Sequence, residues 1–177
     1  MSYLRIITII ALCSLLRLPA AQSEQKPAEY QVKAAFLYNF TKFVEWPKET
    51  QDKYRYLYIL GDNPFGNELD NIHGKTVGGK QLITEHINSL NGLKECSILF
   101  VSSSEEKYLQ KIIETTASLS ILTIGDTNGY AEQGVIINLY TEHNKIRFEI
   151  NTDAAKRAGL KLSSKILHLA RIVSLPL

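Results

Sequence analysis

The run KIRFEINTDAAKRAGLKLSSKILHLARIV, residues 145–173, opens with strict alternation. Ile146, Phe148 and Ile150 fall on one face of a strand, and Lys145, Arg147 and Glu149 on the other. One face therefore packs while the other carries charge. Asn151-Thr152-Asp153 then supplies N-cap chemistry for a short helix that Gly159 ends. Ser163-Ser164 caps a second helix, on which Ile166, Leu167, Ala170 and Val173 lie at core spacing. The stretch reads as a strand feeding two helices.

Upstream the chain keeps alternating between strand and helix. Tyr54–Leu60 is a strand, the turn at residues 61–66 leads into a short helix over Asn67–Ile72, and a glycine-rich turn at Gly74–Gly79 precedes a strand around Leu82–Ile87. Ser97–Val101 has the apolar run of a buried strand, Glu105–Ala117 is a helix, and Ser120–Ile124 is another strand. Gly129–Gly134 is a loop or single turn, after which Val135–Tyr140 and Lys145–Ile150 form a hairpin around residues 141–144. Such an order predicts a single three-layer α/β domain with a mixed, mainly parallel sheet, a C-terminal β-hairpin and helices on both faces. At the front, Tyr30–Trp46 carries Val32, Phe36, Leu37, Phe40, Phe43 and Val44 near helical spacing. Trp46-Pro47 ends that helix.

The 177 residues suit one domain, and 45% hydrophobic with 21% charged residues is globular composition. Met1–Arg5 is a short basic start, Ile6–Leu16 an apolar run of 11 residues, and residues 18–23 a small-residue exit. These are the parts of a secretory signal peptide, expected over residues 1–23, with the domain over 24–177. The run is shorter than the roughly 20 residues that span a bilayer. Export to the periplasm is the expectation. Removing the leader takes Arg5 and Arg17 from a formal charge of +2, so the mature chain is neutral, which argues against nucleic acid as a partner. Only Cys96 then remains, and no intramolecular disulfide can form.

Catalytic signatures are missing where they would be sought. Gly74-Lys75-Thr76 invites a phosphate-loop reading, but position 69 is Leu69 where the motif needs glycine. His73, His86, His143 and His168 are dispersed without metal-ligand spacing. Ser102-Ser103-Ser104 lacks a glycine elbow, and Ser103 with Glu106 reads as a capping box. A nucleophile, base and orienting acid cannot be named together, so the chain is read as no enzyme and as needing no cofactor.

Two surfaces remain as candidates. In an open parallel sheet ligands settle at the carboxyl ends of the strands, which here bear Gly61-Asp62-Asn63, Ser102–Ser104 and Gly125-Asp126. Strand-end loops are polar in any case. The second lies in the tail, where Lys156, Arg157, Lys161, Lys165, His168 and Arg171 stand opposite the apolar stripe, with Lys165, His168 and Arg171 three apart on one helix face. Solvated cations near a helix C-terminus account for them without a ligand. The alternative is that Arg147 and Glu149 join Lys161 and Ser163 to line a polar cleft for a small zwitterionic or anionic metabolite.

FEINTDAAKRAGLKLSSKILHLA, with EYQVKAAFLYNFTKFVEWP near the front and ILGDNPFG between, resembles the YfiR/HmsC-like family. The resemblance spans roughly residues 28 to 173. It implies a periplasmic regulator that binds the sensory domain of an inner-membrane signalling enzyme, typically a diguanylate cyclase, and so restrains cyclic-di-GMP signalling and biofilm formation. A homodimer is a further implication. The disulfide-forming cysteines of characterised members are missing here. A small-molecule sensor acting on a different membrane partner is the alternative function.

Overall fold

A computed structural model describes residues 25–47 and 52–174. The expected leader lies outside the described residues. The first element is helix α1, Gln25–Phe40, followed by a 3-10 turn over Thr41–Phe43. The helix begins and ends earlier than the expected Tyr30–Trp46, and at its end Val44 is already extended and Val44–Glu45 form strand β1. Thr41 marks the change, its hydroxyl donating to the Tyr38 carbonyl at 2.6 Å. Strand β2 is Tyr54–Leu60, β3 Thr76–Val77, β4 Lys80–Ile87 and β5 Cys96–Val101. Helix α2, Leu109–Thr116, is preceded by a 3-10 segment over Ser103–Tyr108, and β6 is Leu122–Gly125. A single turn, α3, covers Tyr130–Gln133, and the hairpin strands are β7, Ile137–Glu142, and β8, Lys145–Asn151.

The hairpin turn is His143-Asn144, both at positive φ, the two-residue geometry whose twist matches that of paired strands. Helix α4, Thr152–Arg157, starts as expected, with the Asn151 side chain accepting from Ala154 N–H at 2.8 Å. Gly159 follows at φ +70°, the left-handed stop that glycine takes without strain.

The tail then departs from expectation. Strand β9 is Lys161–Leu162, helix α5 only Ser164–Leu167, and Arg171–Val173 is strand β10. Bonds from Leu169 N–H to Ile166 O and from Ala170 N–H to Leu167 O tighten the end of α5. Ile172 and Val173 are β-branched and pair with β8 in parallel register, which outweighs the helical spacing of Ile166, Leu167, Ala170 and Val173.

The main sheet has eight strands in the order β10-β8-β7-β6-β5-β2-β4-β3, and β1 pairs with β9 in a separate two-stranded ladder. Strands β4, β2, β5, β6 and β7 are mutually parallel, while β3 on β4 and β8 on β7 are antiparallel. Alternation along the buried strands feeds two cores. Leu57, Ile59, Ile98, Phe100, Ile124, Leu139 and Phe148 meet Ala34, Leu37 and Phe40 of α1 on one face. Tyr58, Leu60, Leu99 and Val101 meet Leu109 and Ile112 of α2 and Tyr130 on the other. The result is the three-layer arrangement the sequence implies.

Candidate functional site

Strand β2 stands between β4 and β5, so the chain reverses its direction of growth across the sheet at the β2/β5 boundary. Sheets of this kind open a ligand crevice there, at the carboxyl ends of the strands. Here the amino-terminal half of α1 occupies that end. Lys33, 4% exposed, places Nζ 2.7 Å from Asp126 Oδ2 and 2.6 Å from Glu29 Oε1. The Tyr30 hydroxyl donates to the same Asp126 oxygen at 2.9 Å, and Lys33 Nζ lies 4.4 Å from the Tyr30 ring centroid. Burial, and then the Asp126 charge, push the Tyr30 phenol well above its ordinary range. A buried lysine held by two carboxylates is a structural lock, since removing one partner leaves uncompensated charge in the interior.

The remaining strand-end loops are also satisfied internally. Asp62 N–H donates to Ser104 Oγ at 2.8 Å, and the His86 ring bonds the Gly61 carbonyl. Gly61 is at φ +83°, and a Cβ there would lie 2.7 Å from Glu105 Cγ, so the loop packs onto the start of the 3-10 segment. The expected capping box is not formed. Ser102 is the cap residue, without a side-chain capping bond, and Ser103 lies one position inside the 3-10 segment instead of capping it.

The residues singled out in the tail are distributed over four places. Glu149 is 2% exposed and pairs with Arg171, which lies opposite it in register. Arg147 is exposed two positions away on the same face of β8. Lys161 is exposed on β9, in register with Glu45, and Ser163 N–H donates to Phe43 O at 2.9 Å while its hydroxyl is buried without a partner among the described residues. Leu162 packs on the α1-side core, whereas Glu149 alternates with Phe148 and Ile150 of that core and points away from it. The cleft of Arg147, Glu149, Lys161 and Ser163 is thus not assembled by the described contacts, because strand alternation sends Glu149 to the opposite face. Arg157 is exposed at the end of α4, and Lys165 and His168 are exposed on and just after α5. Arg171 does not share their helix, since β10 begins with it.

A concavity lies at the opposite pole, at the amino ends of the strands. This basin of about 820 Å³ is lined by Trp46, Lys53, Tyr54, Tyr56, Lys94 and Cys96, among others. The Arg55 guanidinium stacks 3.7 Å from the Trp46 ring, and Trp46 Nε1 is a buried donor with no hydrogen-bond partner among the described residues. No local sequence pattern announces the basin, because its walls come from the starts of β2, β4 and β5 and from the turn before β6. Among the described residues no group of three or more His, Cys, Asp or Glu is placed to hold a metal. No helix among them is long and apolar enough to cross a membrane.

The amino-acid sequence matches the YfiR/HmsC-like family over residues 30–171. The chain belongs to that family. Solved structures similar to this YfiR/HmsC-like chain include a conserved domain protein from Vibrio cholerae, at 10% identity and TM-score 0.56, covering 83% of this chain and 60% of that one. Another is described as an ABC domain in complex with L-Trp from Streptococcus pneumonia, at 9% identity and TM-score 0.53, covering 81% of this chain and 60% of that one. A third is a ligand-free, open substrate-binding protein with adhesive properties from Clostridium difficile, at 11% identity and TM-score 0.51, covering 70% and 56%. The chain therefore spans about three fifths of the length of these structures, and at such identities the likeness is one of fold.

Proposed function

We propose that this YfiR/HmsC-like protein is an exported repressor that binds the periplasmic sensory domain of an inner-membrane diguanylate cyclase and holds it inactive, restraining biofilm formation. The family match over residues 30–171 carries this reading. The geometry supports binding through outer surfaces instead of chemistry in a crevice, because α1 locks the strand-end crevice through Lys33 and Asp126. Arg147, Arg157, Lys161, Lys165 and His168 are the exposed members of the partner-facing set; Glu149 contributes by ordering Arg171, and Ser163 by holding β9 to Phe43. Repression then follows from differential affinity. A partner that turns a 1:99 equilibrium into 99:1 must prefer the off state by about 5.5 kcal/mol. The test is fractionation with an affinity tag at the C-terminus. The tagged chain is expected in the periplasmic fraction, beginning near residues 22 to 24, and to co-purify with an inner-membrane protein carrying a cyclase domain. Full-length protein in the cytosol would remove the reading.

The basin favours a second reading, a sensor whose grip on its membrane partner depends on a small ligand. Trp46 is the observation behind it, since it lines the basin and its Nε1 has no hydrogen-bond partner among the described residues. Trp46 is the single tryptophan, so its emission reports on the basin directly. Quenching by a periplasmic metabolite, with a raised melting temperature, would favour the sensor; partner capture undiminished after exhaustive dialysis would favour the plain repressor.

A further inference from the structure

The main sheet ends at β10, and among the described residues no strand pairs with its outer edge. A terminal strand turns main-chain N–H and C=O groups outward, where they template pairing with another extended chain. Proteins commonly blunt such an edge with proline, lysine or a bulge. Arg171-Ile172-Val173 contains neither proline nor lysine and runs against β8 without a register shift. Ile172 is 48% exposed, and Leu169, in the turn entering the strand, is 71% exposed, more than any other large apolar side chain among the described residues. Among the described residues its three-residue length and the charge of Arg171 are what blunt it.

Charge tells what would cover this edge. Residues 145–177 hold seven Lys and Arg against two Asp and Glu, whereas residues 24–144 hold eleven against sixteen. The two acids of the tail are already engaged, Glu149 by Arg171 and Asp153 by Lys156. Arg171 is held in place by Glu149 and lies 4.9 Å from the Tyr140 ring, yet its side chain stays 57% exposed. Arg147 shares its face of the sheet, and Lys165 and His168 are exposed just before the strand. A second copy paired edge to edge about Ile172 would bring these cations together, which like-charge repulsion opposes.

We propose that the outer edge of β10 receives an extended acidic segment of a partner protein by strand addition. An apolar side chain of that segment packs beside Ile172 and Leu169, and its carboxylates meet Arg147, Lys165 and Arg171. Main-chain bonds supply part of the affinity and the alternating side chains the specificity. Three residues offer few main-chain bonds, so the charged and apolar flanks carry the rest. This rests on the regulatory reading above and names where on the chain the membrane partner docks.

The test uses the purified mature chain and two blocked hexapeptides, one alternating valine with glutamate and one alternating valine with lysine. Amide hydrogen exchange at residues 171–173 should slow about tenfold with the glutamate peptide and remain unchanged with the lysine peptide. Added salt should weaken the effect. Ile172→Lys and Leu169→Lys, each shown to keep the wild-type circular dichroism and unfolding midpoint, should abolish it. Exchange left unchanged by the glutamate peptide, or slowed equally by both, would overturn the proposal. So would self-association that Ile172→Lys removes, since the edge would then belong to a second copy. The readout needs no cyclase, so it stands apart from a deletion that leaves cyclic-di-GMP unchanged, which would count against the repressor reading alone.

Discussion

Arg171, the first residue of the last strand, lies opposite Glu149 of β8 in parallel register and pairs with its carboxylate. Glu149 is buried while Arg171 is more than half in water, so the pair joins the interior of the sheet to its exposed edge. Among the described residues the second carboxylate oxygen of Glu149 is buried without a hydrogen-bond partner, as is Oδ1 of Asn138, its register neighbour on β7. The Glu149 carboxylate thus relies on Arg171 for its compensation.

Removing Arg171 should therefore destabilise the fold. Breaking a buried pair costs about 3–5 kcal/mol, and the exposure of Arg171 lets water recover part of that, leaving about 2 kcal/mol for Arg171→Ala. Urea unfolding of the purified chain measures it. Glu149→Gln, which retains shape and removes the charge, should cost less than Arg171→Ala; the reverse order would show that the carboxylate is not held by the arginine.

The lock at the other end of the sheet gives a larger effect. Lys33→Met leaves the Asp126 carboxylate, its side chain 7% exposed, with the Tyr30 hydroxyl as its remaining described partner, for a loss of about 3 kcal/mol. Lys33→Met combined with Asp126→Leu should recover most of it, because the pair is replaced by apolar packing. A single substitution costing under about 1 kcal/mol in urea would mean that α1 is held by its apolar face alone.

These two pairs mark where the amino-acid sequence was legible and where it was not. The alternation of Ile146, Phe148 and Ile150 identified β8 and its core face, and the strand and helix order identified the mainly parallel sheet. Period and propensity are local properties, and they fail where local spacing is ambiguous. Ile166, Leu167, Ala170 and Val173 fit a helix, yet the chain leaves it after Leu167, and the β-branched pair Ile172-Val173 was the signal that it would. Once β10 is read as helix, Arg171 cannot be matched to Glu149, and Glu149 reads as a surface charge. Lys33 and Asp126 are 93 positions apart and meet only through the packing of α1 on the sheet. The basin is likewise invisible in sequence, being assembled from separate strand starts.

Cys96 provides a pH signature. Burial pushes its thiol up to about 12, partly offset by backbone hydrogen bonds of Tyr58 and Ile98. A thiol whose folded value exceeds its unfolded value of 9.0 contributes stability that is fully present below that value and is lost as pH rises toward 12. Stability of the wild-type chain should fall between about pH 9 and 12, and Cys96→Ala should fall less steeply over the same window. Parallel curves would place the thiol in water. At pH 8 the native thiol should resist a thiol reagent that reacts promptly in urea.

Restraint of a diguanylate cyclase from the periplasm, by binding, is the function we propose for this YfiR/HmsC-like chain. Intracellular cyclic-di-GMP, measured by mass spectrometry in a deletion strain and in the same strain carrying the exported wild-type chain, tests it most directly. The level should rise on deletion and return to the parental value on complementation. A level that stays at the parental value in the deletion strain would contradict it.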